Sequence, residues 1–297
     1  MWLIAVPFLH AVPVAAILTL SPLVLVALVL RVVSPPRGAE PLYTRVWWAA
    51  AWAQLPCAVL LTGSFMFDRG TSATILAVPW VGLCGLLALL GLLRMRTRRN
   101  PLPWSELSID AGLGMVVVGA VWAVADRAGV PVLHFSPAII LLTGVHFHYA
   151  GFVLPVVAGL LARRFPGPMH RAAVLLTLAG VPLTAYGITT SPPAEIVGAW
   201  VTVVAGLTVA SGCARTATRT DTPSPARPLL IVGALAFAWA MLVAATYAYG
   251  EFVHRPFPSL DRMAWLHGLF NSLGFALPVL VAENLVEDAR TGGSAPP

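Results

Sequence analysis

Two apolar stretches of this chain carry the side chains that are best able to do chemistry. Residues 138–161 contain the string His-Phe-His-Tyr at 146–149, and residues 263–284 contain His267 followed by Asn271. A histidine in hydrocarbon costs free energy unless it is paired, hydrated or liganded, so an intramembrane ionisable residue is a candidate functional residue. Imidazoles transfer protons near neutral pH. The two stretches therefore predict acid–base chemistry inside a membrane.

The candidate site residues fall into two chemical groups. The candidate catalytic residues can transfer protons or hydrogen-bond, and they are His146, His148, Tyr149, Glu251, His267 and Asn271. The candidate substrate-binding residues are aromatic, and they are Trp80, Phe147, Tyr186, Tyr247 and Phe275. Aromatic faces attract cations, so these rings suit a cationic intermediate. No metal site and no cofactor are predicted, and the three cysteines form no CxxC motif.

Helical spacing separates the side chains of the 146–149 string. Its two histidines lie about 200° apart around an α-helix. One is therefore expected to line a cavity and the other to hydrogen-bond a neighbouring helix, and the pattern leaves open which is which. His267 and Asn271 are four residues apart and share one helix face. Asp126, which precedes Arg127 at the end of a span, is expected to be an ordinary loop charge.

The composition requires a membrane. The 297 residues have a mean hydropathy of +0.84 and only 10% are charged, whereas soluble domains carry about 25% charged residues. Several apolar stretches are long enough to cross a bilayer. The predicted fold is all-α: one domain, 1–297, forming a polytopic transmembrane helical bundle with a flexible loop at 215–228 and a disordered tail at 291–297. The predicted spans, about nine, are 5–33, 45–67, 72–93, 106–126, 138–161, 170–189, 195–213, 229–250 and 263–284.

The arginines predict how the chain crosses the membrane. All 18 basic residues are Arg; the loops after spans 1, 3, 5 and 7, with the C-terminal tail, hold 14 of them, and the opposite loops hold 4. The positive-inside rule then places the N-terminus outside and the C-terminus inside. In this orientation the polar residues of spans 5 and 9 lie at similar depths in the outer half of the bilayer. We expect these two helices to meet there and form one site in a multi-pass protein of a bacterial cell membrane.

Two resemblances add to this interpretation. The string at 146–149 resembles a stretch of haem–copper oxidases in which two histidines bind different haems, which implies haem binding. The chain also resembles the YndJ-like family of bacterial integral membrane proteins, in Pro79-Trp80, in residues 146–152 and in residues 267–275. The second resemblance runs through most of the chain. Members of that family are often labelled transporters.

Three functions are consistent with these residues. The first is an integral-membrane enzyme that uses acid–base groups on a lipophilic small molecule, for example in the protonation-initiated cyclisation or isomerisation of an isoprenoid epoxide. The second is a multi-span transporter or exporter of a small or lipophilic molecule. The third is a haem- or metal-binding membrane protein. The expected partners are the lipid bilayer and a lipophilic substrate, and no nucleic acid is expected.

Overall fold

A computed structural model describes residues 13–36, 38–98, 103–255, 257–290 and 292. The first residues of predicted span 1, at 5–12, lie outside the described residues. So does the predicted disordered tail, apart from Gly292.

Long apolar helices account for most of the described chain. Within it, nine helices are long and apolar enough to cross a membrane, and no strand is formed. They are Val14–Val32, Pro41–Ser64, Thr71–Thr97, Trp104–Ala128, Pro137–Arg164, Pro168–Thr190, Pro192–Ala217, Ala226–Phe252 and Leu260–Arg290, here spans 1 to 9. The predicted all-α transmembrane fold and its span number are confirmed. The orientation in the bilayer stays a prediction.

Capping side chains fix where several spans begin. The carboxylate of Glu40 accepts hydrogen bonds from the backbone N–H groups of Leu42 and Tyr43 at 3.0 and 2.9 Å. Ser136 and Ser259 cap the starts of spans 5 and 9 in the same way. A proline follows directly after Glu40 and after Ser136, and proline suits the first helical position, where no N–H is needed.

Three spans change from α-helical to π-helical geometry in mid-course. Span 1 comprises Pro13–Leu20, the π-helix Ser21–Leu25 and Val26–Val32. Span 5 comprises Pro137–His148, the π-helix Tyr149–Val153 and Leu154–Arg164, and span 9 comprises Leu260–Leu269, the π-helix Phe270–Ala276 and Leu277–Arg290. π-Helical segments are rare in proteins, and those that occur are often found at functional sites. In spans 5 and 9 they directly follow, or lie within one turn of, the predicted histidines.

The chain divides into two compact units, which are described separately. The first comprises residues 1–102 and 110–153, and the second comprises residues 103–109 and 154–297. The predicted single domain stays a prediction.

In the first unit, glycines let spans 4 and 5 approach closely. A Cβ atom added to Gly144 would lie 3.3 Å from the backbone nitrogen of Ala123. One added to Gly119 would lie 2.7 Å from Nδ1 of His148. Small residues permit such backbone contact between transmembrane helices, where lipid gives no hydrophobic driving force for association. Span 4 therefore forms one wall around the His148 ring.

Asp126 differs from the sequence expectation. It is buried, within the last turns of span 4, and it bonds Arg69 at 2.7 Å and Arg127 at 3.0 Å. Arg127 also donates to the backbone oxygens of Ser64 and Phe67, both at 3.2 Å. The expected loop charge is thus wrong: Asp126 joins span 4 to the connection between spans 2 and 3. Its ion pairs supply the partners that a buried carboxylate requires.

In the second unit, as in the first, helices are held together by close contact at a glycine and by a buried ion pair. In spans 6 and 7, a Cβ atom on Gly187 would lie 2.1 Å from the nitrogen of Glu195, so the two backbones touch. At the other end of span 7, Arg164 donates to both oxygens of Glu283 at 2.9 and 2.8 Å and to Thr216 at 3.3 Å. Arg164 and Glu283 are both buried. This bidentate ion pair ties span 5 to span 9 within the second unit.

We expect Gly119→Ala to destabilise the protein, because its new methyl group would meet His148. Overpacking of this kind costs about 1–3 kcal/mol. The matched control is Gly114→Ala on the same helix, where a Cβ atom would meet nothing within 4 Å and where alanine gains up to about 1 kcal/mol of helix propensity. Thermal unfolding of the purified variants in detergent measures the stability of both. Equal melting temperatures would contradict the proposed packing.

Candidate functional site

His148 is fully buried in the first unit and hydrogen-bonded through both ring nitrogens. The indole N–H of Trp80, on span 3, donates to Nε2 at 3.0 Å. Nδ1 donates to the carbonyl oxygen of Gly144 at 2.7 Å. A carbonyl oxygen only accepts, so the proton lies on Nδ1 and the ring is neutral. The structure thus identifies His148 as the histidine that bonds a neighbouring helix.

His146 lies in a different environment from His148. It is only half-buried, and its ring meets the ring of Phe147 edge-on with centroids 6.2 Å apart. Phe147 itself is buried. The two histidines therefore point in different directions, as the helical spacing predicts. Of the pair, His146 is the one with access to space outside the protein interior.

Tyr149 begins the π-helix of span 5 and is buried. Its hydroxyl donates to the carbonyl oxygen of Ile17, on span 1, at 2.6 Å. Ile17 lies one turn before the π-helix of span 1, and the side-chain amide of Gln54 donates to Pro22 within that segment. Side chains of neighbouring helices thus satisfy backbone oxygens around a break in the regular α-helical pattern.

His267 lies in the second unit and contacts span 8. Its Nδ1 donates to the carbonyl oxygen of Ala240 at 2.9 Å, which leaves Nε2 as an acceptor. Asn271 donates from its side chain to the carbonyl oxygen of His267 at 2.8 Å. Within the described part of the chain, Nε2 of His267 has no hydrogen-bond partner. His267 is therefore held in the tautomer that a general base requires.

A second acid–base group lies near the end of span 8. Tyr247 and Glu251 are one turn apart on span 8, and both interact electrostatically with Glu195 at the start of span 7. Glu195 and Tyr247 are half-buried, and Glu251 is exposed. A phenol and two carboxylates are thus gathered at one end of spans 7 and 8. Glu195 was not among the residues predicted from sequence, although its place at the start of a span, like that of Glu251 at the end of one, was visible.

The remaining predicted aromatic residues of the second unit occupy different positions. Phe275 is buried and stacks on Phe237, with ring centroids 3.8 Å apart. Tyr186 is 59% exposed on span 6. Phe275 thus packs in the interior, whereas Tyr186 faces outward.

The predicted site residues thus form two groups. Trp80, His146, His148 and their neighbours belong to the first unit, and Glu251, Tyr247, His267 and Asn271 belong to the second. The predicted meeting of spans 5 and 9 at a common site stays a prediction. Among the described residues, no three or more His, Cys, Asp or Glu side chains are grouped so that they could hold a metal ion.

Nine apolar spans with paired internal charges define a multi-pass cell-membrane protein. The sequence pattern of the YndJ-like protein family matches residues 16–275, so the chain belongs to that family. This confirms the resemblance seen in the sequence.

One curated relative adds detail to the family match. An uncharacterized membrane protein YndJ of Bacillus subtilis (strain 168) is 30% identical over 191 residues, which cover 62% of this chain and 34% of the relative. The matched region thus spans about a third of the relative's length. No solved structure matches the chain.

We expect Trp80→Phe to lower the free energy of unfolding by about 1–3 kcal/mol, because it leaves Nε2 of buried His148 without its donor. The control is Trp52→Phe, at a tryptophan that is 76% exposed on span 2. Thermal unfolding in detergent compares the two. If both variants melt at the same temperature as the unmodified protein, the Trp80–His148 bond does not hold spans 3 and 5 together.

Proposed function

We propose that this chain is an integral-membrane enzyme that moves protons on a lipophilic substrate. The observation that carries the proposal is the linked group of Glu195, Tyr247 and Glu251 at one end of spans 7 and 8. Oxygen acids that lie close together can give a proton to a substrate and take another back. Intramembrane ionisable residues are uncommon unless function requires them.

His267 supports the same chemistry from span 9. Its bond to Ala240 leaves Nε2 as the basic nitrogen of a neutral imidazole, and neutral imidazole is the usual general base near neutral pH. Asn271, one turn further on, bonds the His267 backbone and holds this part of the helix in place. We assign His267 as the base, with Glu251 and Tyr247 as the proton donors.

The first unit contributes a second candidate base and its support. We retain His146 as a catalytic candidate because its ring is half-buried rather than enclosed. His148 and Tyr149, whose polar atoms already bond Trp80, Gly144 and Ile17, are proposed as positioning residues. A positioning residue holds neighbouring groups in the geometry that the reaction needs.

An apolar groove on the second unit suits a lipophilic substrate. It has a volume of about 430 Å³ and lies on spans 6 and 7. Its lining residues are Leu176, Ile196, Val197, Trp200, Val201 and Val204. The groove begins one residue beyond Glu195, so a hydrocarbon chain held there brings its polar end towards the carboxylates. The volume is within the range of small-molecule pockets, about 300–1,000 Å³.

The concrete form of the proposal is the cyclisation or isomerisation of an isoprenoid epoxide. A protonated donor gives its proton to the epoxide oxygen, the carbon–oxygen bond breaks, and a carbocation forms. A base then removes a proton from carbon to leave an alkene, so that the overall reaction consumes no proton and needs no oxidant. Aromatic rings beside the groove, such as Trp200, stabilise the cation through their faces.

The test is chromatographic separation followed by mass spectrometry of extracts from cells that express the protein and are fed lipophilic isoprenoid epoxides, because the product is an isomer of the same mass as the epoxide. Tyr247→Phe and Glu251→Gln are each expected to reduce product formation by about 10²-fold or more, because they remove a proton donor. The matched control is Tyr249→Phe, on an exposed tyrosine of the same helix, which should leave product formation unchanged. Equal product from all three variants would refute the assignment of these donors.

The double variant His146→Ala, His267→Ala tests the predicted bases. We expect it to fold and to form no product. A new compound made only by the unmodified protein supports the enzyme. Full activity of the double variant would rule out both histidines as bases.

A transporter is the second candidate function. The observation that favours it is the π-helical interruption of three spans, because irregular backbone at membrane depth is typical of helices that line transport sites. The same mass-spectrometry experiment separates the candidates. A transporter redistributes the fed compounds between cells and medium without converting them, whereas the enzyme makes an isomer of the same mass that elutes separately from the fed epoxide.

A further inference from the structure

We propose that the second unit binds the phosphate of an anionic phospholipid through Arg171, at the start of span 6, and Arg215, at the end of span 7. This site is separate from the acid–base groups of spans 8 and 9, so the proposal does not rest on the proposed enzyme.

Both arginines lie over aromatic rings. The guanidinium carbon of Arg215 lies 4.5 Å from the centre of the Phe165 ring, and that of Arg171 lies 4.7 Å from the Trp104 ring. Stacking uses the faces of a guanidinium group and leaves its N–H edges available. A planar group already fixed in this way loses little freedom when it binds a phosphate through two N–H groups.

The Phe165 ring, over which Arg215 lies, also contacts the residue next to Arg171. The Phe165 ring contacts the guanidinium group of Arg215. It also stacks on the His170 ring, with the two ring centroids 5.1 Å apart. His170 directly precedes Arg171 in the chain. The ring of Phe165 therefore links the end of span 7 to the first turn of span 6, and it places two cationic side chains at the same end of the unit.

Three nearby arginines have carboxylate partners, and Arg227 donates to the backbone oxygens of residues 219, 220 and 222. Arg163 pairs with Glu106, Arg164 with Glu283, and Arg219 with Asp221. Among the residues that the structure describes, neither Arg171 nor Arg215 pairs with a carboxylate, although both are exposed.

The pair of Arg219 and Asp221 leaves the other two charges uncompensated. Its hydrogen bond from Arg219 lowers the pKa of the Asp221 carboxyl below its usual value, so Asp221 stays ionised and neutralises Arg219. The guanidinium charges of Arg171 and Arg215 therefore remain at this end to attract an anion.

The position of these arginines indicates a lipid rather than a soluble anion. Next to Arg171, the exposed side chains of span 6 are apolar, including Met169 and Leu175. On span 7, exposed Val204 and Leu207 give way to Ser211 and then to Arg215. The apolar, lipid-facing surface thus ends at the two arginines, where phospholipid phosphates lie. Basic side chains at this depth bind anionic headgroups.

The test measures phosphatidylglycerol and phosphatidylcholine bound to the full chain, purified in detergent, by native mass spectrometry. We expect preferential retention of phosphatidylglycerol. The double variant Arg171→Gln, Arg215→Gln should weaken that preference by about fivefold for each arginine removed. The charge-matched control is Arg45→Gln, Arg96→Gln, at two exposed arginines of spans 2 and 3, and it should change the preference less than twofold.

Two further arms complete the test. The double variant Arg171→Lys, Arg215→Lys keeps both positive charges but lacks the planar guanidinium groups that bind a phosphate through two N–H groups. We expect this variant to retain less phosphatidylglycerol than the unmodified protein. Inorganic phosphate at millimolar concentration should not displace the lipid. An equal loss of preference in the control would show that total charge alone is responsible and would overturn the proposal. Displacement by inorganic phosphate would do the same in favour of a soluble phosphate ligand.

Discussion

Hydrocarbon offers no hydrogen-bond partner, so a charged or strongly polar side chain that this protein buries in a span is stabilised by partners within the chain. His148 bonds Trp80 and its own helix backbone, and Asp126 bonds arginines from two elements. The pair of Arg164 and Glu283 follows the same rule. These bonds are few but directional, and they select which helices lie side by side. Close backbone packing at small residues such as Gly119 and Gly144 adds to that selection.

The sequence alone was sufficient to locate the helices, but it did not show which helices pack against one another. Runs of apolar residues locate the spans because length and hydropathy are local properties. The bond between Trp80 and His148 joins residues 68 positions apart, and no local pattern carries that information. Asp126 was misjudged for the same reason: its adjacency to Arg127 suggested an exposed local pair, whereas Arg69 comes from another connection. Glu195 was missed because its relation to Glu251 depends on the packing of spans 7 and 8.

The same polar bonds divide the predicted site residues by their capacity for chemistry. A residue whose polar atoms are all used in holding helices together, such as His148, is poorly placed to exchange a proton with a substrate. His267 keeps an acceptor nitrogen, and Glu251 and Tyr247 lie one turn apart near the protein surface. The residue type is the same in His148 and His267, so the distinction depends on hydrogen-bond partners rather than on sequence.

The π-helical segment at Tyr149–Val153 also bears on how such chains diverge. A π-turn holds one residue more than an α-turn, so it behaves as a one-residue insertion stored within a helix. Removing that residue would restore a regular helix and leave the side chains beyond it on the same faces, because the π-segment absorbs the rotation of about 100° that an extra residue would otherwise add. A relative without the segment would therefore align to this chain with a single-residue gap inside a membrane span. Helical-wheel diagrams drawn straight through residues 137–164 would assign the residues after Val153 to the wrong face.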